Sequence, residues 1–333
     1  MNSLEYVQQL TKDIIPSMAY DENVDLQEWQ IKAHEKMTEL LGLPLQDCDI
    51  NFRILKEEEC EKYKRISFEY QSEPGHYVPC TLLVPNKLDK PTAGVICVQG
   101  HTTGAHISLG ISKFEQDEVF LSDGSDFAVR AVEEGFCAIA VEQRYMGCRG
   151  QAKDGTPSCL YDNTAMASLL IGRTAIGERV WDIHRLIDAI ETHLTQYIDV
   201  SKIICLGNSG GGTATFYASC YDKRISMAIP SCSVCTFESS IMAMYHCPCN
   251  FIPNIRTYFN MGDLGCLIAP RPLIVVCGVD DPIFPLHGVE ESYAIISRAY
   301  KKANKEELCH LVKGDGGHQF FPNDVWPIVK KII

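Results

Sequence analysis

Short apolar segments recur along the chain, and a segment with helical periodicity follows most of them. Five of the apolar segments contain almost no polar residues, as is typical of strands buried on both faces of a parallel sheet. They span residues 94–98, 136–141, 203–206, 227–230 and 273–277. Helices are predicted at residues 126–134, 174–194, 211–221 and 289–302. The alternation predicts an open, mostly parallel α/β sheet with helices on both faces.

Two regions precede this alternation. Residues 65–70 and 77–84 predict two strands joined by a short loop, and therefore an antiparallel pair at the sheet edge. The first 45 residues predict a helical extension that packs on a main domain of residues 46–333. Its second helix has a start signal at Asp25 and Glu28, a stop signal at Gly42, and an apolar stripe of Trp29, Ala33, Met37 and Leu40. A homo-oligomer is compatible with this extension, but no residue in it predicts one.

Composition narrows the function classes. The 333 residues carry a formal net charge of −13, which disfavours nucleic acid and anionic surfaces as partners. No apolar segment approaches the roughly 18 residues that span a bilayer. The N-terminal residues do not resemble a secretory signal, and many of the 16 cysteines lie in apolar segments. We therefore expect a cytoplasmic protein with reduced, buried cysteines.

The segment from Gly207 to Gly211 carries the strongest chemical signal, because it reads Gly-x-Ser-x-Gly between a predicted strand and a predicted helix. A nucleophile on such a turn is held in a strained conformation, and its neighbours two positions away must be small. Ser209 is the predicted nucleophile. Gly210 lies at the start of the helix, so its N–H is a predicted donor to an oxyanion.

Two other interpretations of this turn compete with that of a nucleophile. A tight glycine turn without chemistry is the simpler one, and only the position between strand and helix argues against it. A dinucleotide loop requires Gly-x-Gly-x-x-Gly, so position 209 would have to be glycine. Moreover, Ser231 and Cys232, rather than an acid, follow the next strand. We discount the dinucleotide loop.

In this kind of fold an acid and then a histidine follow the serine. His318 lies just after a predicted strand on a glycine-rich loop, which is the position expected of the base. Asp280 and Asp281 both follow the strand of residues 273–277. The pattern Gly-x-x-Asp-x-x-x-Pro favours Asp281 as the acid, and Asp280 is then predicted to cap the turn.

The second oxyanion donor is predicted on the loop after the strand of residues 94–98. The loop reads Gln99-Gly-His101-Thr102, and the donor is the N–H of His101 or of Thr102. His101 could equally be a residue of the pocket wall.

Segments 145–172 and 232–269 interrupt the alternation after strand ends, and we expect them to form pocket walls. Residues 246–249 read His-Cys-Pro-Cys, which are metal-ligand types without a paired cluster elsewhere in the sequence. A packed turn is favoured over zinc there. Residues 142–144 predict a buried ion pair beneath the site.

These residues make the chain similar to a known family. It resembles bacterial α/β hydrolases of the acetyl xylan esterase and cephalosporin-C deacetylase type, and among them the abhydrolase 7 group. Gln99 stands where relatives often have histidine. The matching stretches are residues 73–85, 99–101, 179–182, 207–212, 246–250, 269–272, 281–285 and 317–318.

The resemblance implies the α/β-hydrolase fold and an esterase that acts on small acyl groups, often acetyl and sometimes on carbohydrate. It implies the triad of Ser209, His318 and Asp281, with a small-molecule ester as substrate and no metal or organic cofactor. A peptidase or amidase with the same triad is the alternative, and it ranks lower because the chain lacks the propeller domain of large oligopeptidases. A non-enzymatic binding protein would be expected to have lost a triad member.

Overall fold

The computed structural model describes residues 1–150, 152–153, 156–157 and 163–333. Part of the predicted wall segment 145–172 lies outside the described residues. The strands of the described chain are β1 (Arg53–Glu59), β2 (Tyr63–Glu73), β3 (His76–Pro85), β4 (Thr92–Val98), β5 (Cys137–Val141), β6 (Ala152–Lys153), β7 (Thr156–Pro157), β8 (Ile198–Asn208), β9 (Ile225–Ser231), β10 (Leu273–Gly278) and β11 (Cys309–Gly314).

Helices lie on both sides of the sheet formed by these strands. The α-helices are α1 (Ser3–Lys12), α2 (Leu26–Leu41), α3 (Asp117–Ser122), α4 (Phe127–Glu133), α5 (Thr164–Leu169), α6 (Ala175–His193), α7 (Gly210–Tyr221), α8 (Ile255–Tyr258), α9 (Met261–Gly265), α10 (Leu286–Lys302) and α11 (Pro322–Ile332). Within the described chain, no helix combines the length and the apolar character needed to cross a bilayer.

The main sheet has the order β1-β2-β3-β5-β4-β8-β9-β10-β11. Strands from β5 to β11 in this order pair in parallel, whereas β1, β2 and β3 pair in antiparallel fashion. The predicted mostly parallel α/β sheet is confirmed. The predicted edge pair corresponds to β2 and β3, but the edge itself is β1. Its sequence, Arg-Ile-Leu-Lys-Glu-Glu-Glu, is almost entirely exposed, so it lacks the apolar alternation that identifies a strand.

The sheet is covered on both faces because neighbouring side chains of one strand enter two different cores. Ile96 and Val98 belong to one apolar cluster, and Val95 and Cys97 belong to the other. Such complete burial explains why these strands are nearly continuous apolar segments.

The N-terminal helix α2 joins the first of these clusters. Trp29, Ala33 and Met37 are buried in it, as the stripe predicted, but the last buried position is Leu41 rather than Leu40. Asp25 caps the helix by accepting from the N–H of Glu28, and Gly42 ends it with a φ of 74°. The division between residues 45 and 46 stays a prediction.

The topology places the candidate residues at one edge of the sheet. β4, β8, β10 and β11 are parallel, so their carboxyl ends meet at the same edge. The loops that follow them carry His101, Ser209, Asp281 and His318, respectively. Residues up to 217 positions apart in sequence therefore approach one another, as is usual for sites of open α/β sheets.

Candidate active site

Ser209 occupies the sharp turn between β8 and α7. Its backbone has φ 56° and ψ −124°, a strained conformation for a residue with a Cβ atom. The turn is held in place because the N–H of Ser209 donates to the carbonyl of Ser231 at 2.9 Å. The N–H of Thr213 donates to the carbonyl of Ser209 at 2.8 Å and closes the first turn of the helix. The strain is consistent with a functional position.

The two flanking glycines of the motif are required by space. A Cβ atom on Gly211 would lie 2.0 Å from the carbonyl oxygen of Val98. A Cβ atom on Gly207 would lie 2.5 Å from the backbone of Gly211. The turn therefore packs directly on the end of β4, which explains why the sequence has glycine on both sides of Ser209.

His318 and Asp281 form a pair in which the carboxylate is buried and the imidazole is half-buried. His318 Nδ1 lies 2.7 Å from Asp281 Oδ2. Asp281 Oδ1 accepts the N–H groups of Ile283 at 2.8 Å and Phe284 at 3.1 Å. Burial opposes ionisation of Asp281, but the hydrogen bond with His318, together with the two N–H groups, holds the pKa of the carboxyl below its usual value. The acid is therefore an ionised acceptor that fixes His318 Nδ1 as the protonated ring nitrogen.

The other ring nitrogen of His318 is available. Nε2 is buried and has no hydrogen-bond partner within the described part of the chain. The ring stacks on Phe284 with centroids 5.9 Å apart and an interplanar angle of 15°. The close approach of the two loops depends on glycine, since a Cβ atom on Gly278 would lie 1.9 Å from the carbonyl oxygen of Gly317. The stacking on Phe284 and the contact with Asp281 thus hold the ring of His318 in place, with Nε2 left without a partner.

The structure separates the two candidate acids. Asp280 is exposed, and its backbone N–H donates to the carbonyl of Gly316 at 2.9 Å. Asp281 is only 4% exposed and contacts His318. The tertiary arrangement favours Asp281, as did the loop pattern.

A cavity of about 440 Å³ brings the predicted residues together. Ser209, Gly210, His101 and His318 all line it. One wall comes from residues 244–247, within the predicted insertion 232–269. A second wall contains Phe120, Asp123 and Ser125, which the sequence analysis did not single out. The length of the connection between β4 and α4 was the available signal for this second wall.

The predicted oxyanion loop lies against the serine turn. A Cβ atom on Gly100 would lie 3.2 Å from the Cβ of Ser209, and a Cβ atom on Gly210 would lie 2.6 Å from the ring of His101. The N–H of Thr102 donates to the carbonyl of Gly100 at 2.8 Å, so it is already used within the loop. Of the two predicted donors on this loop, the N–H of His101 is therefore the better candidate.

Gln99 supports this loop from below. It is 2% exposed, and its side-chain nitrogen donates to Ser108 Oγ at 2.6 Å and to the carbonyl of Ser125 at 2.8 Å. The side chain of Gln143 in turn donates to the carbonyl of Gln99. Gln99 thus has a supporting role at the position where relatives often have histidine.

Two cysteines lie beside His101. His101 Nε2 is 3.1 Å from Cys249 Sγ, and Cys247 Sγ lies in the same cluster. The hydrogen bond with Cys247 and burial raise the pKa of the Cys249 thiol to about 11. The His-Cys-Pro-Cys segment is therefore joined by a histidine from the other side of the pocket, which no local sequence pattern reveals.

The predicted ion pair at residues 142–144 differs from the observed one. Arg144 is buried and pairs with Glu73 at 2.6 Å and Asp182 at 2.9 Å rather than with Glu142. Glu142 instead accepts the N–H of Ala105, and burial raises its pKa to about 6. Partners from distant segments compete with the adjacent carboxylate, so the local sequence could not identify them.

Comparison with known proteins agrees with this architecture. The model of the Abhydrolase family matches residues 1–313. The chain belongs to the Abhydrolase family. A protein of Bacillus subtilis (strain 168) named as a hydrolase, YtaP, is 22% identical over 249 residues, which are 73% of this chain and 79% of YtaP.

Solved structures share the fold of this Abhydrolase member. A protein of Bacteroides fragilis NCTC 9343, described as an acetyl xylan esterase, superposes with a TM-score of 0.82 at 16% sequence identity. The superposition covers 100% of this chain and 95% of the Bacteroides chain. A glucuronoyl esterase from Solibacter usitatus superposes with a TM-score of 0.69 at 14% sequence identity. The superposition covers 96% of this chain and 98% of the Solibacter chain. At such low sequence identity the superpositions show a shared fold and nothing more. They confirm the predicted α/β-hydrolase fold.

Proposed function

We propose that this chain is a serine carboxylesterase that hydrolyses short-chain acyl esters through an acyl-enzyme on Ser209. One observation carries the proposal. The pair of Asp281 and His318 leaves Nε2 without a partner, and His318 lines the same cavity as the strained Ser209. An oriented histidine and a strained serine in one cavity support a base and its nucleophile.

The proposed steps assign one role to each residue of the site. His318 Nε2 takes the proton of the Ser209 hydroxyl as the oxygen attacks the ester carbonyl. Asp281 remains ionised and stabilises the imidazolium that forms. The N–H groups of Gly210 and His101 donate to the oxyanion, and each such donor contributes about 10²- to 10³-fold in kcat. The alcohol leaves with the proton from His318, and water then releases the acid by the reverse sequence.

The proposed substrate class rests on the size of the cavity and on the names of proteins with the same fold. The cavity of about 440 Å³ fits a small acyl group with part of its alcohol. Proteins of the same fold are named acetyl xylan esterase, glucuronoyl esterase and methylesterase. We therefore propose an acetyl ester, with a carbohydrate as the alcohol, as the substrate. The cysteines of the described residues are all free thiols, which supports the cytoplasm as the proposed location.

The decisive experiment compares the wild type with Ser209→Ala on p-nitrophenyl acetate, butyrate and octanoate. We expect fast acetate cleavage and a loss of about 10⁶-fold in kcat in the variant, because the nucleophile acts as a unit with its base. Ser125→Ala is the matched control, since Ser125 also lines the cavity but lies off the turn.

Two further measurements test the nucleophile and the preference for esters over amides. A fluorophosphonate should label the wild type and Ser125→Ala but not Ser209→Ala. The matched p-nitroanilide should be cleaved far more slowly than the ester, and preference for the anilide would replace the esterase with an amidase. Comparable ester turnover by folded Ser209→Ala would overturn the proposed nucleophile.

A further inference from the structure

We propose that His101, Cys247 and Cys249 form a binding site for one Zn²⁺ ion in the pocket wall beside Ser209. The candidate ligand atoms of these three side chains all lie within 4.8 Å of one another. His101 Nε2 and Cys249 Sγ are already 3.1 Å apart. The existence of this site does not depend on the proposed esterase activity.

The spacing suits a tetrahedral ion. Zn–S bonds of about 2.3 Å and Zn–N bonds of about 2.0–2.1 Å place neighbouring ligand atoms about 3.5–3.8 Å apart. The distance between His101 Nε2 and Cys249 Sγ would have to increase by about 0.4 Å to meet this geometry. The other two separations are at most 4.8 Å, so they would have to shorten by no more than about 1.3 Å.

The chemistry of the ligands also suits zinc. One imidazole and two thiols form a soft, borderline donor set that selects Zn²⁺ over Mg²⁺ or Ca²⁺. Cys247 and Cys249 are buried, so competing water is largely excluded. Each thiol loses its proton to solvent as its sulfur binds the ion, and no oxidant or reductant takes part.

One coordination position would remain open to the pocket. His101 and Cys247 both line the cavity that contains Ser209. Three protein ligands leave a fourth position for water or a substrate oxygen. An ion here would also join the loop of His101 to the segment of residues 247–249 and so hold the proposed oxyanion donor in place.

The tertiary structure removes the sequence argument against zinc. Residues 246–249 lacked a second cluster in the sequence, and a packed turn was therefore favoured. His101 supplies the third ligand from a position 148 residues before Cys249. This separation explains why no metal-site spacing is visible in the chain.

A second group of ligand types, Cys232, Asp281 and His318, is less suited to an ion. Asp281 already contacts His318 and accepts two backbone N–H groups. Cys232 Sγ donates to the carbonyl of Gln319 at 3.3 Å. An ion there would have to displace these contacts, so this group serves as an internal control.

The test uses the full chain, treated with a chelator and a thiol reductant and then titrated with Co²⁺ and, in competition with a chromophoric chelator, with Zn²⁺. We expect one ion per chain, thiolate-to-cobalt charge-transfer absorption in the near ultraviolet, and tetrahedral d–d bands in the visible. Cys249→Ser should reduce the charge-transfer absorption per bound ion by about half, because Cys247 is then the one thiolate ligand, and should weaken Zn²⁺ binding by at least about 100-fold. His101→Ala provides a second variant that leaves both thiols intact and should weaken binding similarly.

Cys148→Ser controls for an exposed thiol, and Cys232→Ser controls for the second group. Both should bind Co²⁺ and Zn²⁺ as the wild type does. Absence of the charge-transfer band in the wild type would overturn the proposal, as would an unchanged band in folded Cys249→Ser. Loss of binding in Cys232→Ser alone would also overturn it, because it would assign the ion to the other group. Ester hydrolysis is measured separately, so failure of the metal site and failure of the esterase remain distinguishable.

Discussion

Two clusters line the pocket around Ser209, and in each of them a histidine meets a partner from another loop. His318 meets a carboxylate through Nδ1 and keeps Nε2 unpaired in the cavity. His101 meets a thiol through Nε2, so that nitrogen is already engaged. The residue types overlap, since both clusters contain histidine and cysteine. The presence of histidine therefore does not decide which cluster can act as a base. The ring nitrogen that is engaged, and the partner that engages it, decide this.

The sharpest way to break this comparison is to remove the base. We expect His318→Ala to lower kcat for p-nitrophenyl acetate by about 10⁵- to 10⁶-fold, because Ser209 then has no proton acceptor. Stopped assays with high enzyme concentration measure the residual rate. A decrease in kcat of less than about 10-fold would show that a group other than His318 acts as the base.

The orienting acid should have the next largest effect. We expect Asp281→Asn to lower kcat by about 10⁴-fold, because the amide supports the wrong tautomer of His318. Asp280→Asn is the matched control on the neighbouring residue, which is exposed, and its kcat should stay within about 2-fold of the wild type. Equal losses in the two variants would contradict the assignment of Asp281.

Removing the other histidine should have a much smaller effect on turnover. We expect His101→Ala to lower kcat by about 10-fold, less than loss of an oxyanion donor, because the backbone N–H remains while the loop loses its contact with Cys249. Steady-state kinetics of this variant beside His318→Ala give the comparison directly. A loss as large as that of His318→Ala would place the ring of His101 in the chemistry.

The smallest expected effect concerns stability. The pKa of Asp281 is lowered in the folded protein, so its contribution to stability is present above the unfolded value and is lost as the pH falls through the folded one. We expect Asp281→Asn to reduce the free energy of unfolding by about 1–2 kcal/mol at pH 7. The difference from the wild type should narrow as the pH falls below the ordinary aspartate pKa and through the lowered pKa of the folded protein.

Urea unfolding of both proteins between neutral and acidic pH measures this difference. Asp280→Asn should follow the wild type throughout, because Asp280 is exposed. A difference that persists unchanged at acidic pH would show that the charge of Asp281 is not its source.

Local sequence predicted much of the serine side of the pocket. The motif from Gly207 to Gly211 identified a strained turn, and the structure shows the glycines in contact with the end of β4. Strand β8 was recognisable by its continuous apolar segment, and helix α7 by the buried segment of small and apolar residues that follows the serine turn. The loop pattern around Asp281 and the glycines before His318 pointed to residues that the structure brings together. These signals are local because backbone geometry at a turn depends on adjacent residues.

Other features depended on contacts that no local pattern records. Strand β1 is charged and exposed, so pairing with β2 alone makes it a strand. Arg144 pairs with Glu73 and Asp182 rather than with the adjacent Glu142. Phe120 reaches the cavity from a connection that has no motif.

The sequence by itself determined the alternation of strands and helices, the position of the serine turn and the chemical types available around it. Only the tertiary structure decided which acid meets His318 and which histidine meets Cys249. The physical reason is that periodicity and turn geometry are set by neighbouring residues. Hydrogen-bond partners at the carboxyl edge of the sheet are instead set by strand order, which brings together loops far apart in the chain.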